Sequence, residues 1–163
     1  MIKARSSRVV PAAPCEVYAL LIDPARRLKL SPVRAEVFFE AERPDGLRSA
    51  HLRAHSPRGG TVKTRSTDVE RVENERLVVR TTTSPISFIR SARLQSGQAE
   101  SETTITLEPH GNGTLVVVAR DTRLSPTALH LFAALLGRRK VRRQSEVLVE
   151  QIRAQFLEWP TLT

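Results

Sequence analysis

Histidines and strand arginines are the residues of this chain best suited to chemistry. An imidazole exchanges a proton near neutral pH, and so it can serve enolisation or aldol reactions. His130 is the main candidate, because it lies on the inward line of a predicted long helix. A partly exposed histidine with local hydrogen bonds is the competing interpretation. His51 and His55 alternate with the more apolar residues of their strand, and so we expect both to face solvent.

Three arginines in predicted strands would bind an acidic ligand group if their side chains pointed inward: Arg80, Arg90 and Arg120. Strand alternation places Arg80 outward. Asp121 shares its parity with the apolar Val117, which predicts that the Asp121 side chain points inward.

The sequence contains no motif typical of a common catalytic or cofactor site. HExxH, GxSxG, the P-loop and a GxGxxG in a βαβ setting are all missing, and the histidines lack metal-ligand spacing. We therefore expect neither a metal nor a cofactor.

The chain of 163 residues is strongly basic, with a formal net charge of +9. This charge favours anionic partners, although a genome bias towards arginine explains it equally well. Cys15 is the single cysteine, so no intramolecular disulfide can form and a structural role is expected for it. There is no signal-like segment and no apolar run of about 18 residues. A cytoplasmic location follows as an expectation.

The order of predicted elements indicates an α+β fold. A strand at 2–10 precedes two short helices, the first opened by Pro14 and the second by Asp23-Pro24. A long helix opens at Ser125-Pro126 and runs to about Leu157. Between them the pattern predicts antiparallel strands at 33–41, 47–55, 61–72, 76–83, 86–94, 102–109 and 114–124. We expect one domain, 1–163, with a curved antiparallel sheet wrapped around the long C-terminal helix.

The segment VVPAAPCEVYALLIDPARR resembles the start of the SRPBCC superfamily, also called the START or Bet v 1-like helix-grip fold. Bacterial members are often labelled polyketide cyclase/dehydrase-like. The resemblance covers essentially the whole chain by topology and the first thirty residues by motif. Many members have a tryptophan where this chain has Ser31-Pro32. The matching residues are Val17, Tyr18, Leu21, Asp23 and Pro24.

The resemblance implies a cavity between the sheet and the long helix that holds lipids, sterols, polyketides or other apolar molecules. The long helix supports this, because its inward line is bulky at Leu148 and Ile152 but small at Ala134 and Gly137. Sheet side chains that fill the space are the alternative. The expected ligand-binding residues are Tyr18, Val37, Phe39, Leu52, Val79, Ile105, Val117, Ala134, Gly137 and Val141.

Two functions fit this picture. The first is binding of a hydrophobic or amphipathic small molecule, without metal or cofactor. The second is a polyketide cyclase or dehydratase that uses the same cavity, with His130 as the acid–base group. The sequence shows no convincing pair of ionisable groups, and so it favours the binding protein.

Residues 129–143, LHLFAALLGRRKVRR, combine an apolar run with a basic cluster. The arginines are expected to face solvent. The apolar side chains off the inward line need a partner, which could be the rest of the monomer, a second copy in a homodimer, or a membrane surface contacted peripherally. No nucleic acid is expected, because the stretch lacks interleaved aromatic residues.

Overall fold

A computed structural model describes residues 1–30, 35–55, 61–83, 99–124 and 130–157. For these residues, the predicted order of elements is confirmed. The predicted strand at 86–94, Arg90, the helix start at Ser125-Pro126 and the final Pro160 lie outside the described residues. The elements are β1 (Ile2–Val10), α1 (Pro14–Ile22), α2 (Pro24–Lys29), β2 (Ala35–Glu42), β3 (Arg48–His55), β4 (Thr61–Val72), β5 (Arg76–Thr83), β6 (Ala99–His110), β7 (Gly113–Leu124) and α3 (His130–Leu157).

The two short helices form where their capping residues predict. Pro14 and Pro24 occupy the first turns, where a missing N–H leaves no hydrogen bond unmade. The carboxylate of Asp23 accepts hydrogen bonds from the backbone N–H groups of Ala25 (2.9 Å) and Arg26 (3.2 Å). Asp23 therefore ends α1 and caps α2, which sets a sharp corner between the two helices.

Within the described ranges, seven strands form one antiparallel sheet in the order β1-β7-β6-β5-β4-β3-β2. Each strand from β2 to β6 pairs with the next described strand along the chain, and β1 pairs with β7. The predicted hairpin turns at Asp45-Gly46 and 110–113 are present, with positive φ at Gly46 and Gly111. Short turns join β2 to β3, β4 to β5 and β6 to β7, and the pairing within these three hairpins follows directly from them.

One face of the sheet, called here the inner face, carries the core and meets all three helices. The helix line predicted through Val141, Leu148 and Ile152 is buried, as expected, and α3 packs on β1 and β7. Arg139, Arg142 and Arg143 are exposed, also as expected. The core cluster comprises Val10, Ala12, Val17, Leu21, Leu30, Leu77, Val79, Ile105, Leu107, Val116, Val118, Leu148, Val149 and Ile152.

Two β-bulges change which side chains face inward. One lies in β2 between Val37 and Phe39, and the other lies in β4 between Asp68 and Glu70. A bulge adds one residue to a strand, and so it reverses the alternation beyond it. Because of the second bulge, Asp68 and Arg71 both point to the inner face, although they lie three positions apart in the chain.

Candidate functional site

A cavity of about 280 Å³ lies between the inner face of the sheet, α2 and α3. Its volume is near the lower end of the range for small-molecule sites, roughly 300–1,000 Å³. Among the described residues, the larger aliphatic side chains that contribute to its lining are Leu28, Leu52, Val79, Ile105 and Leu148. Six hydroxyl groups also contribute: Thr64, Ser66, Thr81, Thr83, Ser101 and Thr103. The cavity can therefore accept an apolar molecule and also hydrogen-bond to it.

Two arginines line the same cavity, and their surroundings differ. The first, Arg27 of α2, donates from Nη2 to Oδ1 of Asp68 (2.9 Å) and from Nη1 to the carbonyl of Leu21 (3.0 Å). Arg71 donates from Nε to Oδ2 of Asp68 (3.0 Å) and also from Nη2 to the same oxygen. The Asp68 side chain is fully buried, and each of its oxygens meets one guanidinium.

The Arg27–Asp68–Arg71 cluster joins the helix pair to the sheet. Arg71 also donates to the carbonyls of Gly46 (3.3 Å) and Ile22 (3.5 Å), so it reaches the β2–β3 turn and the end of α1. Burial lowers the pKa of Arg27, and the nearby Asp68 carboxylate opposes that effect. Arg27 thus has a carboxylate partner within the protein, which it shares with Arg71.

The second cavity arginine, Arg120 of β7, has no such carboxylate partner among the described residues. Its Nε donates to Oγ1 of Thr103 (3.0 Å) and its Nη1 donates to Oε1 of Gln144 on α3 (3.1 Å). Both partners are neutral, and no carboxylate of the described residues forms an ion pair with Arg120. Burial lowers the pKa of the Arg120 guanidinium. It is a largely buried cation whose charge no described residue offsets.

Several residues predicted to bind ligand lie at this cavity. Leu52, Val79 and Ile105 line it. Val37 pairs with Leu52 on the inner face, and Val141 is buried on α3 without lining the cavity. The backbone of α3 carries His130, Ala134 and Gly137, but what surrounds these three positions lies outside the described part of the structure, so their roles stay predictions.

Four predicted placements differ in the structure. Phe39 is 55% exposed and contacts His51 on the outer face, because the bulge after Val37 reverses the strand. Val117 also faces outward, since the inner residues of its strand are Val116, Val118 and Arg120. The prediction that Asp121 points inward is wrong for the same reason, and its side chain is exposed.

Tyr18 is the fourth residue whose predicted placement differs from the structure. It is half-buried beside the core and does not contribute to the lining of the cavity. Burial raises the pKa of its phenol. The neighbouring charged groups are those of Arg71, Glu73 and Asp68, which places Tyr18 next to the charged cluster.

Other predictions for strand residues hold. Arg80 points outward and pairs with Glu102 (2.9 Å) and Glu100 (3.5 Å). His51 lies on the outer face under Phe39, as its parity predicts. Sequence reasoning missed Gln144 and the lining hydroxyls. The only signal of the hydroxyl residues was their alternation with outward residues, which many exposed strands share.

Membrane-spanning helices and metal clusters are not found among the described residues. No described helix is long and apolar enough to cross a membrane. No group of three or more histidine, cysteine, aspartate or glutamate side chains in that part of the chain is placed to hold a metal ion. The apolar side chains of 129–138, on which the homodimer and membrane predictions rest, lie outside the described part of the structure.

Comparison with solved structures supports the helix-grip fold. A protein from Thermus thermophilus, TTHA0849, covers 95% of this chain and 97% of its own, with a TM-score of 0.67 and 22% identity. A conserved protein from Geobacillus kaustophilus covers 96% of both chains, with a TM-score of 0.68 and 12% identity. The di-domain ARO/CYC StfQ from the steffimycin biosynthetic pathway matches 96% of this chain over 51% of its own (TM-score 0.68, 17% identity).

Sequence comparison identifies the family. None of the curated proteins compared with the chain matches it. The family model described as "Polyketide cyclase / dehydrase and lipid transport" matches residues 1–156. With the seven-stranded sheet, the helix pair after β1 and the long last helix, this match shows that the chain belongs to that family, and thereby to the SRPBCC superfamily.

Proposed function

We propose that this protein binds a hydrophobic or amphipathic small molecule in the cavity beneath α3. The main support for this proposal is the lining of the cavity, in which aliphatic side chains and hydroxyl groups surround a volume of about 280 Å³. Apolar burial supplies affinity at roughly 25 cal/mol per Å². The hydroxyl groups then orient polar atoms of the ligand, as in other small-molecule sites. The family description, which includes lipid transport, supports the same proposal.

A pair of variants on β5 tests the cavity directly. Thr81 lines the cavity, whereas Thr82 is the next residue on the same strand and faces the other side of the sheet. Both are half-buried, so Thr81→Phe and Thr82→Phe make the same chemical change on opposite faces. The phenyl ring at position 81 occupies ligand space.

The probe is the uncharged fluorophore N-phenyl-1-naphthylamine, whose emission rises in apolar surroundings. We expect saturable binding to the wild-type protein and to Thr82→Phe, and a loss of about tenfold or more in affinity for Thr81→Phe, since the ring displaces the probe from its apolar contacts. Circular dichroism verifies that both variants fold. Equal binding by the two folded variants, or no saturable binding by the wild type, contradicts the proposal.

A cyclase or dehydratase is the second candidate. It is favoured by the structural similarity to an ARO/CYC protein and by the donors of Arg120 and the lining hydroxyls, which suit a developing enolate. No described lining residue is a histidine, aspartate or glutamate, so His130 is the acid–base candidate.

Hydrogen–deuterium exchange at the α-carbon of an apolar β-diketone, followed by NMR, measures enolisation. An enzyme exchanges faster than buffer. His130→Ala should then slow the exchange by about 100-fold or more, since a general base contributes roughly 10²–10⁴-fold. The matched control is His110→Ala, at an exposed turn. If the wild-type protein exchanges the α-hydrogen no faster than buffer alone does, the proposal of an enzyme is contradicted.

A further inference from the structure

We infer that the ligand carries a single carboxylate and that Arg120 binds it. The inference rests on the proposed function of the cavity and names the polar end of the molecule held there. Arg120 would then determine specificity, because it selects acids over neutral molecules of the same shape.

The hydrogen-bonding capacity of Arg120 is only partly used. A guanidinium has five N–H donors, and the protein accepts from one on Nε and one on Nη1. Three donors therefore remain, two of them on Nη2. Among the described residues, every side-chain nitrogen or oxygen that is inaccessible to solvent has a hydrogen-bond partner. Nη2 of Arg120 donates to none of these residues, so it must be accessible, and the cavity that Arg120 lines is the space it faces.

The positive charge of Arg120 favours binding of an anion in the cavity. A buried cation without a counterion is costly, and proteins normally pair it. Asp68, a fully buried carboxylate, is bound on both oxygens by Arg27 and Arg71. Asp121 is exposed and Glu102 pairs with Arg80, both on the outer face. A ligand anion would supply the missing charge.

One carboxylate fits this position better than a phosphate. The free edge of the guanidinium matches the two oxygens of a carboxylate in a bidentate pair. A phosphate dianion would bring a second negative charge, whereas the other cavity cation, Arg27, already pairs with the carboxylate of Asp68. The aliphatic side chains of Leu148, Val79 and Ile105 leave an apolar volume for the rest of the molecule.

The test compares decanoate with decanamide, which has the same shape and no charge, by isothermal titration calorimetry near neutral pH. The wild type should bind decanoate about 10- to 100-fold more tightly, because the carboxylate adds its negative charge and a second acceptor oxygen, whereas the amide offers the guanidinium one neutral oxygen. Arg120→Gln should reduce that ratio to near one. Arg120→Lys keeps the positive charge but loses the planar pair of N–H donors, and so it should give an intermediate ratio.

Arg80→Gln is the matched control, because Arg80 is a strand arginine on the outer face. It should keep the wild-type ratio. A purely structural role for Arg120 would weaken both probes in parallel and leave the ratio unchanged, which overturns the inference. Equal binding of both probes by the wild type overturns the inference and leaves the proposed function standing. If neither probe binds, the proposed function fails first and the inference falls with it.

Discussion

Replacing Asp68 by asparagine should destabilise the protein severely, although the two side chains have nearly the same size. Asp68 is fully buried, and its oxygens accept hydrogen bonds from Arg27 (2.9 Å) and Arg71 (3.0 Å). An asparagine keeps one acceptor oxygen and turns an N–H donor towards the other guanidinium. Two buried cations then face each other without a negative charge between them.

The expected loss follows from that geometry. Breaking a buried ion pair by removing one partner costs about 3–5 kcal/mol. That is a large part of the roughly 5–15 kcal/mol of a typical domain. At about 2–4 °C per kcal/mol for a chain of this size, Tm should fall by roughly 6–20 °C. Urea unfolding, followed by circular dichroism, gives the free energy of unfolding directly.

The control for Asp68→Asn is Glu102→Gln. Glu102 pairs with Arg80 at 2.9 Å, but its side chain is 45% exposed. Exposed pairs contribute about 0–1 kcal/mol, so this variant should lose less than about 1 kcal/mol. If the two variants lose similar amounts, the buried cluster does not anchor the helix pair to the sheet.

Three further predictions concern the remaining parts of the fold. Tyr18 is the single tyrosine, so near-ultraviolet absorbance of its phenolate reports one group, which should titrate above a pKa of 10.0. Because folding raises that pKa, the related stability is present below about pH 10 and is lost as the pH rises through the folded value. Gly113→Ala should destabilise more than Gly111→Ala in urea, since a Cβ at Gly113 meets the backbone of Val10 whereas Gly111 has open space and a positive φ only. Arg120→Met should leave Tm unchanged or raise it, as expected when a buried binding charge is removed; a fall of several degrees in thermal unfolding would show that the arginine holds the fold together.

The sequence by itself determined the elements and their order. Pro14 and Asp23-Pro24 fix the helix pair through capping and a restricted backbone, and these effects act within a few residues. Short turns between alternating strands predict neighbouring antiparallel pairs. The long helix carries its inward line at Val141, Leu148 and Ile152 in its own periodicity. Interactions between residues close together in the chain decide such features, and so they can be predicted from the sequence.

Only the tertiary structure decided which strand residues reach the cavity. Val116, Val117 and Val118 are all buried, so apolar alternation cannot distinguish the inner face of β7 from the outer one. If the alternation of β7 were shifted by one residue, Asp121 would face the cavity instead of Arg120. The actual alternation places a cation there rather than an anion. Pairing with β6 fixes that choice, because Arg120 lies opposite Thr103.

The bulges act in the same way. They bring Asp68 and Arg71 to one face and send Phe39 to the other, although simple alternation predicts the reverse in both strands. The contact of Arg27 with Asp68 joins residues 41 positions apart in the chain. Contacts of this kind depend on strand register and packing rather than on any local preference, and so the placement of the charged groups in the site became visible only in the folded chain.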